Sequence, residues 1–123
     1  MNYNFVLLVM IFCHIVDDYY LQGWLASAKQ KKYWEENAPD EIYRYDYIWA
    51  LIMHSFSWAF MTMLPIAFIK SFKVDGVFFI AFIVNLVVHA FTDDLKANKR
   101  QINLWTDQLI HIAQIVLTSI FLF

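Results

Sequence analysis

The stretch "VFFIAFIVNLVVHAFTDDLK", Val77–Lys96, decides the fold. It opens as uninterrupted bilayer-type helix, then carries Asn85, His89, Asp93 and Asp94 before it reaches a lysine. Either the helix ends early and those groups are wet, or they lie within the membrane for a reason. Asn85, His89 and Asp93 recur every four residues, which places them on one helical face. Asp94, five residues after His89, points elsewhere. The pattern is that of a helix with one polar stripe.

The whole chain agrees with a membrane setting. Hydrophobic residues make up 61% of the 123 residues, against about 45–50% in soluble domains. Charged residues are 16%, against about 25% in such domains. Twelve Phe, seven Tyr and five Trp exceed what one small soluble core could hide. A net charge of −2 offers no basic field for nucleic acid, and none is expected as a partner. The single cysteine, Cys13, excludes an intrachain disulfide or a thiolate cluster and reads as a small buried hydrophobe. No Lys or Arg precedes Lys29 and no small-residue cleavage site follows the first apolar run, so that run is read as a retained span.

A spanning helix needs about 20 mostly apolar residues. Four windows qualify, at about 3–24, 47–69, 77–95 and 104–123, in one integral membrane domain covering 1–123. Hydropathy favours the second and fourth; the first and third have polar ends that need explaining. Pro65 predicts a kink in the second. The expected fold is all-α, a four-helix transmembrane bundle running up-down-up-down. The long connection 26–46 reads as part helix and part interfacial loop. Lys29, Lys31, Lys32, Arg44, Lys96, Lys99 and Arg100 gather at the first and third connections, against Lys70 and Lys73 at the second. The positive-inside rule then puts those two connections in the cytoplasm and both termini outside.

With that topology, His14, His54, His89 and His111 fall one per helix in the cytoplasmic half of the bilayer, given a rise of about 1.5 Å per residue. His14 and Asp18, His89 and Asp93, and Asp107 and His111 are each four apart and share a face. Asp17 can join the first face; Gln22, Asn85 and Gln114 extend the stripes, and Ser57 and Thr62 lie near the face of His54. Each His–Asp pair could close on itself as an ion pair that only holds helices together. Ionisable groups inside a membrane are costly and functional by default, however. Four imidazoles and at least three carboxylates at one depth favour a divalent cation, which pairs the acids and takes nitrogen lone pairs. The candidate ligands are His14, Asp18, His54, His89, Asp93, Asp107 and His111. Their oxygen and nitrogen donors suit Zn²⁺, with Mn²⁺ or Fe²⁺ also compatible, and their number leaves one or two ions open.

"HIVDDYYLQ", His14–Gln22, resembles the His-x-x-x-Asp-x-x-x-Gln opening of DUF3307, a family of small bacterial and phage membrane proteins of unknown function. His54, "HAFTDDLK" and "WTDQLIHI" resemble that family's later blocks, in order. There is a looser resemblance to the membrane-bound metal-dependent hydrolases of the YdjM type; together the resemblances imply a metal-dependent hydrolase in a bacterial inner membrane. The tandem Asp17–Asp18 departs from the family pattern, which has one acid there. Pattern and spacing both favour Asp18 as the ligand.

Several chemistries are excluded. The spans contain no Glu, unlike the di-iron carboxylate bundles. The zinc-protease His-Glu-x-x-His helix is absent. Ser55 adjoins His54, and adjacent helical residues face apart. With only Gly23 and Gly76 there is no Gly-rich phosphate loop. The expectation is therefore a phosphoesterase-type hydrolase. Asp17 is its candidate general base, Lys96 the cation that meets a phosphate, and Gln22 and Gln108 donors to ligands or substrate. A lipid headgroup ester, a lipid-linked phosphate or a nucleotide would be the substrate. Two other classes stay open. One is a proton or metal-ion transporter, against which the apolar "FVLLVM" and "VLTSIFLF" argue. The other is a non-catalytic phage or bacterial interaction protein contacting partners through the connection 29–47. Self-association is compatible with all three.

Overall fold

The structure is a computed structural model and describes residues 2–123. These form six α-helices and no strand: α1 (Tyr3–Ile15), α2 (Leu25–Ala28), α3 (Lys31–Asn37), α4 (Asp46–Ile69), α5 (Gly76–Ala97) and α6 (Leu104–Leu122). The chain is all-helical, as expected. Each long helix starts where its sequence supplies a cap or a turn. Asn2 accepts from the amides of Asn4 and Phe5, Asp75 from that of Phe78, and Asn103 from that of Thr106. Positive φ at Ser71 and Phe72, and at Arg100, turns the chain between α4, α5 and α6.

The first span differs from expectation at its end. After Ile15 the helix widens into a π-helical segment, Val16–Leu21, and stops there rather than at Trp24. Gly23 at φ +51 takes the left-handed conformation that ends it. A π turn is bonded i→i+5 and so has more residues per turn than an α turn. Adjacent Asp17 and Asp18 both face inward there, at 1% and 7% exposure. The wider turn narrows the angle between neighbouring side chains, which helps both acids sit inside the inward face.

Three helical stretches are long and apolar enough to cross a membrane: Tyr3–Leu21, Glu41–Ile69 and Gly76–Ala97. The second was favoured from the sequence; the first and third qualify despite their polar ends, and the fourth does not. α6 is not among them, because Asp107, Gln108, His111 and Gln114 dilute its hydropathy within 19 residues. Even so, α6 packs against α5, α1 and α4, and α4 packs against α1 and α5. Paired contacts run in opposite senses along α1 and α6. Tyr3 bonds Ser119 at 2.8 Å, and His14 meets Gln108 at 2.9 Å.

The interior is sorted by polarity along the helices. Val6, Met10, Trp58, Met63, Ile66, Phe78, Ile115 and Leu122 belong to one apolar cluster. The same inward stripes continue as His14, His54, His89 and His111, all at most 1% exposed. Thr62 bonds the carbonyls of Trp58 and Ala59 in its own helix and takes no part in the polar group. Outward faces are the reverse: Phe12, Phe60, Phe91, Leu117 and Phe121 are large, apolar and exposed. Apolar side chains outside and ionisable ones inside is the inverse of a soluble domain and marks a membrane protein. Cys13 is free and half-buried, more open than expected.

The connection after Gly23 is folded as α2 and α3, with a 3₁₀ turn at Glu41–Tyr43. Asn98, past the end of α5, clamps it. Its side chain accepts from the Lys31 amide at 2.6 Å and donates to the Lys29 carbonyl at 3.0 Å. Trp34 adds a bond to the Ala28 carbonyl at 2.7 Å.

Ile66→Ala, at 1% exposure, should cost about 2–5 kcal/mol of stability through the cavity it leaves. Phe121→Ala, at 80% exposure, should stay within about 0.5 kcal/mol. Unfolding of the two variants in the same detergent checks the burial pattern.

Candidate metal centre

The polar end of the interior brings together side chains from the π segment, α4, α5 and α6. Ligand atoms of Asp18, His54, His89 and Asp93 all lie within 4.8 Å of one another, as do those of Asp18, Asp107 and His111. Six of the seven expected ligands are therefore gathered. The contacts are mostly between helices, not within the i,i+4 pairs. His54 Nε2 is 3.2 Å from Asp18 Oδ1 and 3.2 Å from Asp93 Oδ2. His111 Nε2 is 3.4 Å from Asp93 Oδ1 and 3.3 Å from Asp107 Oδ1. His89 Nε2 is 3.7 Å from Asp93 Oδ2 and 3.2 Å from His54 Nε2.

These separations match a coordination shell. Four donors at about 2.0–2.1 Å around a tetrahedral ion are about 3.3 Å apart along each edge. Hydrogen-bond logic leads to the same place. Gln114 Nε2 donates to the carbonyl and side-chain oxygens of Asn85, at 3.1 and 3.2 Å, so its Oε1 is the group facing His111 Nδ1 at 3.2 Å. His111 Nδ1 therefore carries a proton, and in the neutral ring Nε2 presents a lone pair. That lone pair points at two carboxylate oxygens. His111 Nε2, Asp93 Oδ1 and Asp107 Oδ1 are all buried, and none has a hydrogen-bond partner. Two carboxylate oxygens beside that lone pair in a dry interior call for a positive charge, either a bound cation or the second proton of an imidazolium.

His14, the seventh expected ligand, stands outside both sets. The Trp58 indole, which can only donate, is 2.7 Å from His14 Nδ1, so the ring proton sits on Nε2 and goes to Gln108 Oε1 at 2.9 Å. Gln108 Nε2 then donates to Asp18 Oδ2 and Asp107 Oδ2, each at 2.9 Å. The chain Trp58–His14–Gln108 thus holds two carboxylates from behind, the part played by outer hydrogen bonds around bound metals. Trp58 also stacks on the His89 ring, with centroids 4.4 Å apart.

The other candidates are placed as follows. Asp17 accepts from Ser57 Oγ at 2.5 Å, with its Oδ2 unpartnered. Lys96 donates to Asp107 Oδ2 at 3.1 Å and keeps its side chain 29% exposed. Gln22 bonds the Asp18 carbonyl at 2.7 Å, fixing the end of the π segment. Asp94 is turned away, as expected, onto Asn98 and Lys99. Ser55 Oγ is buried and makes no bond to His54.

Lys29 was not foreseen. Read from sequence as one of the surface cations that set topology, it is 5% exposed and donates to Asp93 Oδ2 at 2.7 Å. Its only sequence signal is its position after the small residues of "ASA", which let α2 approach the bundle closely. Trp58 was also passed over, although it lies four residues after His54 on the same face.

Asp17, Asp18, Asp93 and Asp107 bring four carboxylates; Lys29 and Lys96 bring two ammonium groups. With neutral imidazoles, two negative charges remain, the charge of one divalent cation. The donor set is nitrogen and oxygen only, since Cys13 is in neither group. The cluster fits a divalent ion. The chain matches no family model, no curated protein and no solved structure.

Lys29→Met removes the cation from a carboxylate that is 1% exposed. In chelator-treated protein it should cost about 3–5 kcal/mol, the cost of leaving one buried charge unpaired. Thermal unfolding in detergent measures it, and added Zn²⁺ should recover part of the loss.

Proposed function

We propose that the chain is a membrane-embedded, metal-dependent hydrolase, a phosphoesterase acting on a lipid or lipid-linked phosphate, or on a nucleotide, at the cytoplasmic leaflet. On this reading it is a multi-pass protein of a bacterial inner membrane, related to DUF3307 as its motif order implies. α6 is its fourth crossing in an up-down-up-down bundle, with both termini outside. The exposed apolar face of α6, from Leu109 to Phe121, supports that fourth crossing.

The observation that carries the reading is the gathering of Asp18, His54, His89 and Asp93, and of Asp18, Asp107 and His111, each set buried and with its ligand atoms within 4.8 Å of one another. Zn²⁺ or Mn²⁺ bound there would supply Lewis acidity and acidify a water molecule. The residues around it have separate tasks. Gln108 and His14 hold the ligands; Lys96 offers a half-open ammonium to an anion; the free Oδ2 of Asp17 is a proton acceptor near Asp18.

Access favours a substrate with an apolar part. A groove of about 450 Å³ between α1 and α6 is lined by Ile11, Ile15, Tyr19, Tyr20 and Ile112, with His14 and Gln108 at its polar side. It lies against the two residues that back the ligands, where a lipid chain could rest beside the cluster. Transport is the weaker reading. Val6, Met10, Met63 and Leu122 fill the interior beyond the polar end, which leaves no polar route through one chain.

Phosphate release from a long-chain prenyl phosphate and from p-nitrophenyl phosphate, by detergent-purified protein, tests the proposal. Activity should vanish with a chelator and return with Zn²⁺ or Mn²⁺. Asp107→Asn should lower kcat by about 10²-fold or more, the scale of losing one preorganised electrostatic partner. Bound metal with no release from either substrate would move the chain to the interaction class.

A further inference from the structure

We infer that the cluster is built for two cations side by side, with Asp18 and Asp93 shared between them. The inference rests on the metal-binding part of the proposed function and does not require the hydrolase.

The donors divide into two groups. One contains Asp18, His54, His89 and Asp93; the other contains Asp18, Asp107 and His111. No histidine is common to both, while Asp18 belongs to each. Asp93 spans them as well, because its two oxygens diverge. Oδ2 faces His54 and His89 at 3.2 and 3.7 Å, and Oδ1 faces His111 at 3.4 Å. Two shared carboxylates with separate nitrogen donors on either side is the arrangement of a two-metal site, where ions sit about 3.5–4 Å apart.

One four-coordinate ion would use only part of this set. A four-coordinate ion among Asp18, His54, His89 and Asp93 would leave His111 Nε2 and Asp107 Oδ1 buried without a partner. An ion between Asp107 and His111 would leave the four donors of the other group to hydrogen bonds among themselves, His54 Nε2 lying 3.2 Å from each of His89 Nε2, Asp18 Oδ1 and Asp93 Oδ2. Each group of donors has its own supporting contact: Gln114 behind His111, and Trp58 stacked on His89. The polar framework is built around both.

Charge adds a consequence. One divalent ion neutralises the two uncompensated carboxylate charges; a second makes the cluster a net cation in a low-dielectric interior. An anion in the same place offsets that, so the second ion and an anion must assist each other's binding. Inorganic phosphate is the anion the proposed substrate class would share.

The experiment titrates detergent-purified, full-length protein with Mn²⁺, counting bound metal per chain and recording electron paramagnetic resonance spectra. Two ions per chain and a spin-coupled pair spectrum are expected. Inorganic phosphate should tighten the second ion at least about fivefold, a typical coupling between linked sites. His89→Gln and Asp107→Asn should each retain one ion and lose the coupling. The wild-type spectrum alone reports proximity, so the outcome stands even if a variant fails to fold. A single, uncoupled Mn²⁺ in wild type overturns the two-ion inference and leaves a metal centre in place. No bound Mn²⁺ or Zn²⁺ overturns both.

Discussion

A carboxylate inside a bilayer must be neutralised, and most of what is distinctive in this chain follows from how Asp93 meets that requirement. Its partners come from four segments: Lys29 after α2, His54 of α4, His89 of α5 and His111 of α6. A group that ties four segments together works as a keystone, because moving any helix strands a charge. The same dependence explains why the connection between α1 and α4 is folded, not loose. Lys29 reaches Asp93 only because Asn98 clamps its carbonyl and Trp34 that of Ala28. Local bonds in a surface segment thus maintain a charge balance in the interior.

The π segment solves a second problem. The cluster needs Asp18, and Asp17 is held by Ser57 of α4, yet the two acids are neighbours in sequence. A wider turn admits both to one face, and Gln22 holds the wide turn closed through the Asp18 carbonyl. Departures from regular helix of this kind are retained where a site needs them, since they forgo ideal backbone bonding. The tandem acid that looked anomalous in the sequence is explained by the backbone that accommodates it.

Periodicity made much of this legible. Helical class and the gathering of His54, His89, His111, Asp18, Asp93 and Asp107 could all be read from four-residue spacing and helix-end depth. What spacing could not supply was which partner each group takes. It paired each acid with the histidine of its own helix, whereas the shortest His–Asp approaches run between helices. It offered His14 as a ligand because residue type and depth suited one; only the Trp58 donor, from another helix, shows both ring nitrogens engaged. Lys29 was hidden because its burial depends on how α2 folds back, a tertiary event without a local signature. The sequence reading favoured α6 as a span, yet the inward polar residues that make it part of the site leave it outside the three stretches long and apolar enough to cross a membrane.

The division of the interior into an apolar and a polar end constrains what the cluster can do. Trp58 lies at the boundary, in the apolar cluster by packing and in the polar one through its indole N–H. Beyond it, Asn85 and Thr118 bond each other at 2.7 Å, and Gln114 connects Asn85 to His111. The polar network therefore reaches past the carboxylates but ends within the fold, satisfied by its own members. A relay meant to pass ions onward would need groups free to exchange partners. These groups are spent on orienting Gln114 toward His111, so the network holds the buried cluster in one arrangement while Lys96 marks its half-open side.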